Sequence, residues 1–169
     1  HTLFFLNVFF LLCIIVKGKS AVKEKKSILI VEDEPLLEKT FQHLLALWGY
    51  APRTARTGRE AIDLSRVQPA DLILLDCSLP DLTVFQVLKH LKKELLTAYL
   101  PVILLIEKKA IRRELMDKEI IPDDYLMKPV DPLELRLRIE MSLHRAEHQF
   151  HANPLTRLPG NISILNELS

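Results

Sequence analysis

Cysteine is almost missing from this chain: Cys13 and Cys77 are the only two among 169 residues. A disulfide-stapled scaffold is therefore excluded. No cysteine–histidine spacing suits zinc, and a reducing compartment is the simpler setting. Glycine numbers four, and no glycine-rich nucleotide loop is present. Nor is there an excess of positive charge, since the formal net charge is +1. Residues 1–26 carry Lys17, Lys19, Lys23, Lys25 and Lys26 against Glu24, and the remainder holds 18 basic and 21 acidic residues. A slightly acidic body argues against a nucleic-acid partner held by a basic surface.

A long apolar run is also lacking. Leu3–Val16 is interrupted only by Asn7, and as a helix it spans roughly 21 Å, short of the ~30 Å hydrocarbon core. Its length suits a signal-peptide apolar region, but no positive charge precedes it and no small-residue cleavage site follows. The lysines after it would hold the downstream part in the cytoplasm if it inserted. Residues 1–26 are thus either a non-native extension or a short anchor with a basic linker. The expected localisation is cytoplasmic, with a membrane tether only if residues 3–16 are a real anchor.

What is present is a core. Hydrophobic residues make up 49% and charged residues 27%, enough for one folded domain. Ser27–Val31 reads as a buried strand. Pro35 opens a helix whose apolar positions Leu37, Phe41, Leu44, Leu45 and Trp48 form one stripe, and Gly49 is a natural stop. Ala51–Ala55 is a weak strand, and Pro52 assigns it to a sheet edge. Thr57-Gly-Arg-Glu60 has capping-box spacing and starts a helix to about Val67. Asp71–Leu75, Pro101–Ile106 and Asp124–Met127 read as strands. Val84–Leu95 and Ala110–Glu119 read as helices. Asp131 caps a last helix with Pro132 in its first turn, reaching about Gln149. Leu133 to Leu143 also alternates at period two, so a strand is the rival there. Five strands separated by helices predict a flavodoxin-like, doubly wound parallel sheet of order 2-1-3-4-5, with helices on both faces.

In such a sheet the functional site lies beyond the carboxyl ends of the strands, at the switch point. Glu32, Asp33 and Glu34 follow the first strand, Asp76 follows the third, and Lys128 follows the fifth. Carboxylates about 4 Å apart repel by roughly 4 kcal/mol per pair at an effective dielectric near 20. Either one stays protonated or a cation neutralises the group. All-oxygen ligands with open positions suit Mg²⁺. The Lys128 ammonium can pair with Asp76 and then with a phosphoryl group on it. A carboxylate can accept phosphoryl as an acyl phosphate. Cys77, beside Asp76, reads as a small packing residue.

These residues resemble the receiver domain of two-component response regulators. The likeness covers about Lys26 to Ala146. It rests on Ile28-Leu-Ile-Val-Glu-Asp-Glu-Pro35, Asp71-Leu-Ile-Leu-Leu-Asp-Cys-Ser-Leu-Pro-Asp81, Pro101-Val-Ile-Leu-Leu105 and Asp123-Asp-Tyr-Leu-Met-Lys-Pro129. The resemblance implies a receiver spanning 27–147, with Asp76 as phosphoacceptor and Lys128 as phosphoryl contact. It implies Mg²⁺ on Glu32, Asp33, Asp76 and the Ser78 backbone carbonyl, and Tyr125 as the aromatic that reports activation. The phosphodonor would be a sensor histidine kinase or a phosphotransfer protein. A homodimer through the fourth and fifth predicted helices is a further expectation.

The chain departs from that family at two places. Ile106 and Glu107 stand where Ser or Thr and a small residue are usual, so the switch hydroxyl is missing and bulk with negative charge is expected at the donor's approach. The loop after Asp76 has Thr83 and Val84 in place of Asp-Gly. A non-phosphorylated scaffold acting by protein–protein contact is therefore the alternative. Finally, Asn153-Pro-Leu-Thr-Arg-Leu-Pro-Gly-Asn161 resembles the opening of GGDEF-type diguanylate cyclase domains, with Arg157 in place of glycine. Residues 148–169 then read as a linker and a truncated start of such a domain. With no GGDEF signature, this chain is expected to have no cyclase activity and to be a phosphoacceptor module, not an enzyme.

Overall fold

The computed structural model describes residues 24–110 and 122–152. The apolar run 3–16, the predicted helix beyond Ala110 and the tail 153–169 lie outside the described residues. Five strands form one sheet: β1 (Ser27–Val31), β2 (Ala51–Ala55), β3 (Leu72–Asp76), β4 (Val102–Glu107) and β5 (Asp124–Lys128). Their order is β2-β1-β3-β4-β5, all parallel, as the sequence pattern requires. Four α-helices are described: α1 (Pro35–Leu47), α2 (Gly58–Val67), α3 (Val84–Lys93) and α4 (Pro132–Ala152).

The strands are apolar on both sides because both sides are covered. On one face Leu29, Val31, Ile73, Leu75, Val102, Leu104 and Ile106 pack against Ala61 and Ile62 of α2 and Val84, Val87, Leu88 and Leu91 of α3. On the other, Ile28, Ile30, Leu72, Leu74, Ile103, Leu105 and Leu126 meet Phe41 and Leu45 of α1 and Leu135, Ile139 and Leu143 of α4. Period-two alternation within unbroken apolar runs sends neighbouring residues to opposite cores.

Helix ends follow local chemistry. Pro35 occupies the first turn of α1, and Gly49 just past its end has φ +89°, which glycine adopts without a Cβ penalty. The Asp131 carboxylate accepts from Glu134 N at 2.9 Å. That cap settles residues 133–143 as helix, and α4 runs on to Ala152. Only half of the expected box at Thr57 forms. Thr57 Oγ1 accepts from Glu60 N at 3.1 Å, but Glu60 Oε2 accepts from Arg56 N at 2.8 Å, not from Thr57 N. The complete box is on α3, where Thr83 and Gln86 satisfy one another. Thr83 is thus a working N-cap.

Several boundaries differ from the sequence reading. β3 begins at Leu72; Asp71 meets Ser27 just before it, its carboxylate accepting from Ser27 N at 2.7 Å and its amide donating to Ser27 O at 2.8 Å. Asp76 is the last residue of β3, Glu107 the last of β4 and Lys128 the last of β5. The expected loop residues are therefore fixed by ladder hydrogen bonds. α3 stops at Lys93.

Candidate functional site

β1 and β3 are neighbours with Val31 opposite Leu75, so Glu32 and Asp76 come next in the same register at the carboxyl rim. Asp33 follows on the loop into α1. One carboxylate oxygen from each of Glu32, Asp33 and Asp76 lies within 4.8 Å of the others. Glu32 and Asp76 are 1% and 2% exposed, whereas Asp33 faces solvent. The cluster is therefore closed beneath and open above.

Lys128 reaches this floor from β5, two strands away from Asp76. Its Nζ lies 2.7 Å from Asp76 Oδ1 and 3.1 Å from Glu32 Oε2. Glu32 Oε1 also accepts from Glu34 N at 3.1 Å. Burial pushes the Glu32 carboxyl above the usual carboxylate range and the Asp76 charge adds to this; the Glu34 amide and Lys128 pull it only partly back. Burial alone would lower the Lys128 ammonium, but its bonds and charge pairing with Asp76 and Glu32 hold it above 10.5. The site is thus three acids with one firmly protonated amine. Three hard oxygen donors with an open side match the donor set of Mg²⁺.

The structure gathers four of the expected site residues, Glu32, Asp33, Asp76 and Lys128, into one group. Ser78 follows in the exposed part of the next loop. Ile106 is fully buried in the core over α2 and α3, so its side chain is packing. Glu107 pairs with Lys109 at 2.9 Å. That hydrogen bond and charge hold Glu107 below the usual carboxylate range. Its negative charge is real, yet a neighbouring ammonium balances it. Tyr125 is 48% exposed on β5, opposite Leu104. A cleft of about 630 Å³ opens beside Lys128, between Leu37, Phe41 and Leu44 of α1 and Val130, Pro132 and Leu135 at the start of α4.

One residue of the surroundings had no readable signal. Asp81, in the loop that leaves Asp76, accepts from Gly58 N at 2.8 Å and Arg59 N at 2.9 Å. It caps α2 from a distance and ties the loop to it. A cap supplied 23 residues away leaves no spacing pattern. Gly58 itself is needed for close approach: a Cβ there would lie 2.7 Å from Val87 Cγ2 and 3.0 Å from Leu82 Cβ.

Known proteins share this fold. Residues 28–140 match the response regulator receiver domain. The probable transcriptional regulator ycf27 of Cyanidium caldarium is 34% identical over 125 residues, covering 74% of this chain and 49% of that protein. The alkaline phosphatase synthesis transcriptional regulatory protein PhoP of Bacillus subtilis is 34% identical over 122 residues, covering 72% and 50%. The chain thus spans about half the length of the curated relatives it matches. A crystal structure of a putative response regulator from Chloroflexus aurantiacus superposes with TM-score 0.67 at 28% identity, covering 72% of this chain and 99% of that one. The receiver domain of a sensor histidine kinase from Pseudomonas aeruginosa, solved with a magnesium ion in its active-site cleft, gives 0.66 at 25% identity, covering 71% and 98%.

Proposed function

Because the chain belongs to the response regulator receiver domain family, we propose that Asp76 is its phosphoacceptor in a two-component phosphorelay. The observation that carries this is the Lys128 ammonium seated between Asp76 and Glu32 in a three-carboxylate cluster. An Asp76 carboxylate oxygen attacks phosphorus of a phosphohistidine, the new P–O bond forms as the P–N bond breaks, and the leaving imidazole nitrogen takes a proton. Lys128 keeps its proton and turns from the carboxylate to the incoming phosphoryl oxygens. Glu32, Asp33, Asp76 and the Ser78 carbonyl would hold Mg²⁺. When bound, that ion supplies charge neutralisation for phosphoryl transfer.

Ile106 provides no hydroxyl for the phosphoryl group, so coupling from Asp76 to Tyr125 runs through packing at the β4–β5 pair. The intact acid cluster and amine favour this reading over a silent scaffold. The receiver is a phosphoacceptor, not an enzyme. The donor would be a histidine kinase or a phosphotransfer protein, and the cleft beside Lys128 suits the donor's approach. Exposed Leu133, Leu137 and Met141 at four-residue spacing on α4 support self-association through the last helix. The motif at 153–161 supports a GGDEF-type output in a longer parent, although the curated relatives are named as transcriptional regulators. Among the described residues, no helix is long and apolar enough to cross a membrane.

The test is incubation with acetyl phosphate and Mg²⁺, read by intact mass. Wild type gains one phosphoryl group and Asp76→Asn gains none. An unmodified wild type at saturating donor and Mg²⁺ leaves only a receiver-shaped scaffold.

A further inference from the structure

Far from the acid cluster, two histidines stand one turn apart on α4. His144 and His148 are both exposed, and their Nε2 atoms lie 3.0 Å apart. The ring centroids are 4.3 Å apart with planes at 66°. An i, i+4 pair on one helix face is held in place by the backbone. Here the backbone is itself held, because Leu135, Ile139 and Leu143 on the opposite face are packed against the sheet. With metal–nitrogen bonds of 2.0–2.1 Å, nitrogens 3.0 Å apart subtend roughly 91–97° at a shared ion, whereas a tetrahedral angle needs a separation of roughly 3.3–3.4 Å. The observed spacing is that of two cis ligands in a square-planar or tetragonal ion.

We propose that His144 and His148 form a bidentate site for Cu²⁺ or Ni²⁺, whose preferred geometry and liking for imidazole both fit. The ion would take the place of the Nε2–Nε2 contact between the two rings, with water in its remaining positions. Nearby charges are already engaged: Glu140 with Arg136 at 3.0 Å, Glu147 with Lys26 at 3.2 Å and Arg145 with Asp124 at 3.6 Å. The site uses nitrogen donors where the acid cluster uses hard oxygens, so the two select different ions. It also lies past residue 140, where the receiver match ends. Occupancy would tie two successive turns of the helix as it leaves the domain.

The experiment is calorimetric titration of the full chain with CuCl₂ and with NiCl₂, alongside electron paramagnetic resonance of the Cu²⁺ sample. Wild type is expected to bind one Cu²⁺ with a spectrum showing two nitrogen ligands, undiminished by excess Mg²⁺. His144→Ala and His148→Ala each lose the chelate and weaken binding roughly tenfold or more. Both positions are exposed, and unchanged far-ultraviolet dichroism confirms that the variants fold. Equal affinity in wild type and both variants overturns the proposal, as does a wild type that binds neither ion. Displacement of Cu²⁺ by Mg²⁺ overturns it too, because it would assign the ion to the carboxylates.

Discussion

Replacing Lys128 by methionine keeps the stem of the side chain and deletes its charge. Among the described residues, the ion pairs to Asp76 and Glu32 both come from this ammonium, at 2.7 and 3.1 Å. At an effective dielectric near 20 those separations correspond to attractions of about 6 and about 5 kcal/mol. Carboxylates 4.8 Å apart, the limit of the cluster, repel by about 3.5 kcal/mol on the same scale. Desolvation offsets most of the attraction, so the net cost of leaving buried acids without their partner is roughly 3–5 kcal/mol. Urea unfolding in EDTA at neutral pH should show it as a midpoint lower by about 1.5–2.5 M, for a slope of about 2 kcal/mol/M. The deficit should also depend on pH in a stated direction. Glu32 is already raised above 4.5 by burial and by Asp76, and loss of the ammonium raises it further. A carboxyl whose folded value exceeds its unfolded value penalises folding above the folded value and ceases to do so below the unfolded one. The deficit of Lys128→Met therefore shrinks as pH falls from neutral towards 4.5. In wild type the raised Lys128 stabilises the fold throughout that range and is lost only above 10.5. Millimolar Mg²⁺ should restore part of the deficit, since an ion that binds only the folded state stabilises it. A neutral-pH deficit under about 1 kcal/mol, or one unchanged at pH 5, refutes the electrostatic account.

Three further outcomes are expected. Asp81→Ala should lower stability by about 1 kcal/mol through loss of the two amide bonds at the start of α2. Burial opposes ionisation of Asp81, but the Arg59 and Gly58 amides outweigh it and hold the carboxyl below 3.8. The difference from wild type should therefore vanish as pH falls through that lowered value, which thermal melts at acid pH will check. Gly58→Ala should cost about 1–3 kcal/mol by driving α2 from Val87 and Leu82, and an unchanged urea midpoint would contradict it. Glu107→Ala should speed phosphorylation by acetyl phosphate about two- to threefold at low ionic strength, an advantage that fades as salt screens the rim; equal initial rates would show that Lys109 already cancels Glu107.

Much of the fold was legible because its determinants are local. Unbroken apolar runs such as Ile28–Val31 could only be strands covered on both sides, and Pro52 could only sit at an edge, where β2 is found. The Asp131 cap resolved a stretch whose alternation also fitted a strand. Differences fell where a side chain binds a backbone amide near the end of an element. The Asp71 carboxylate took Ser27 N just ahead of β3, and Glu60 took Arg56 N in place of Thr57 N. Glu107, read as the first residue past its strand, is the last residue of β4, and its carboxylate pairs with Lys109.

By itself the sequence determined the order of the described strands and helices, and it located acids and a lysine at strand ends, because hydrophobic periodicity and caps act over a few residues. The meeting of Lys128 with Glu32 across 96 positions was decided only by tertiary structure. So were the capture of α2 by Asp81, the fully buried fate of Ile106 and the uneven exposure of the three acids. Those outcomes depend on register between parallel strands and on how far water is excluded at the rim. Both are set by the packing of the whole sheet and are written in no short stretch of it.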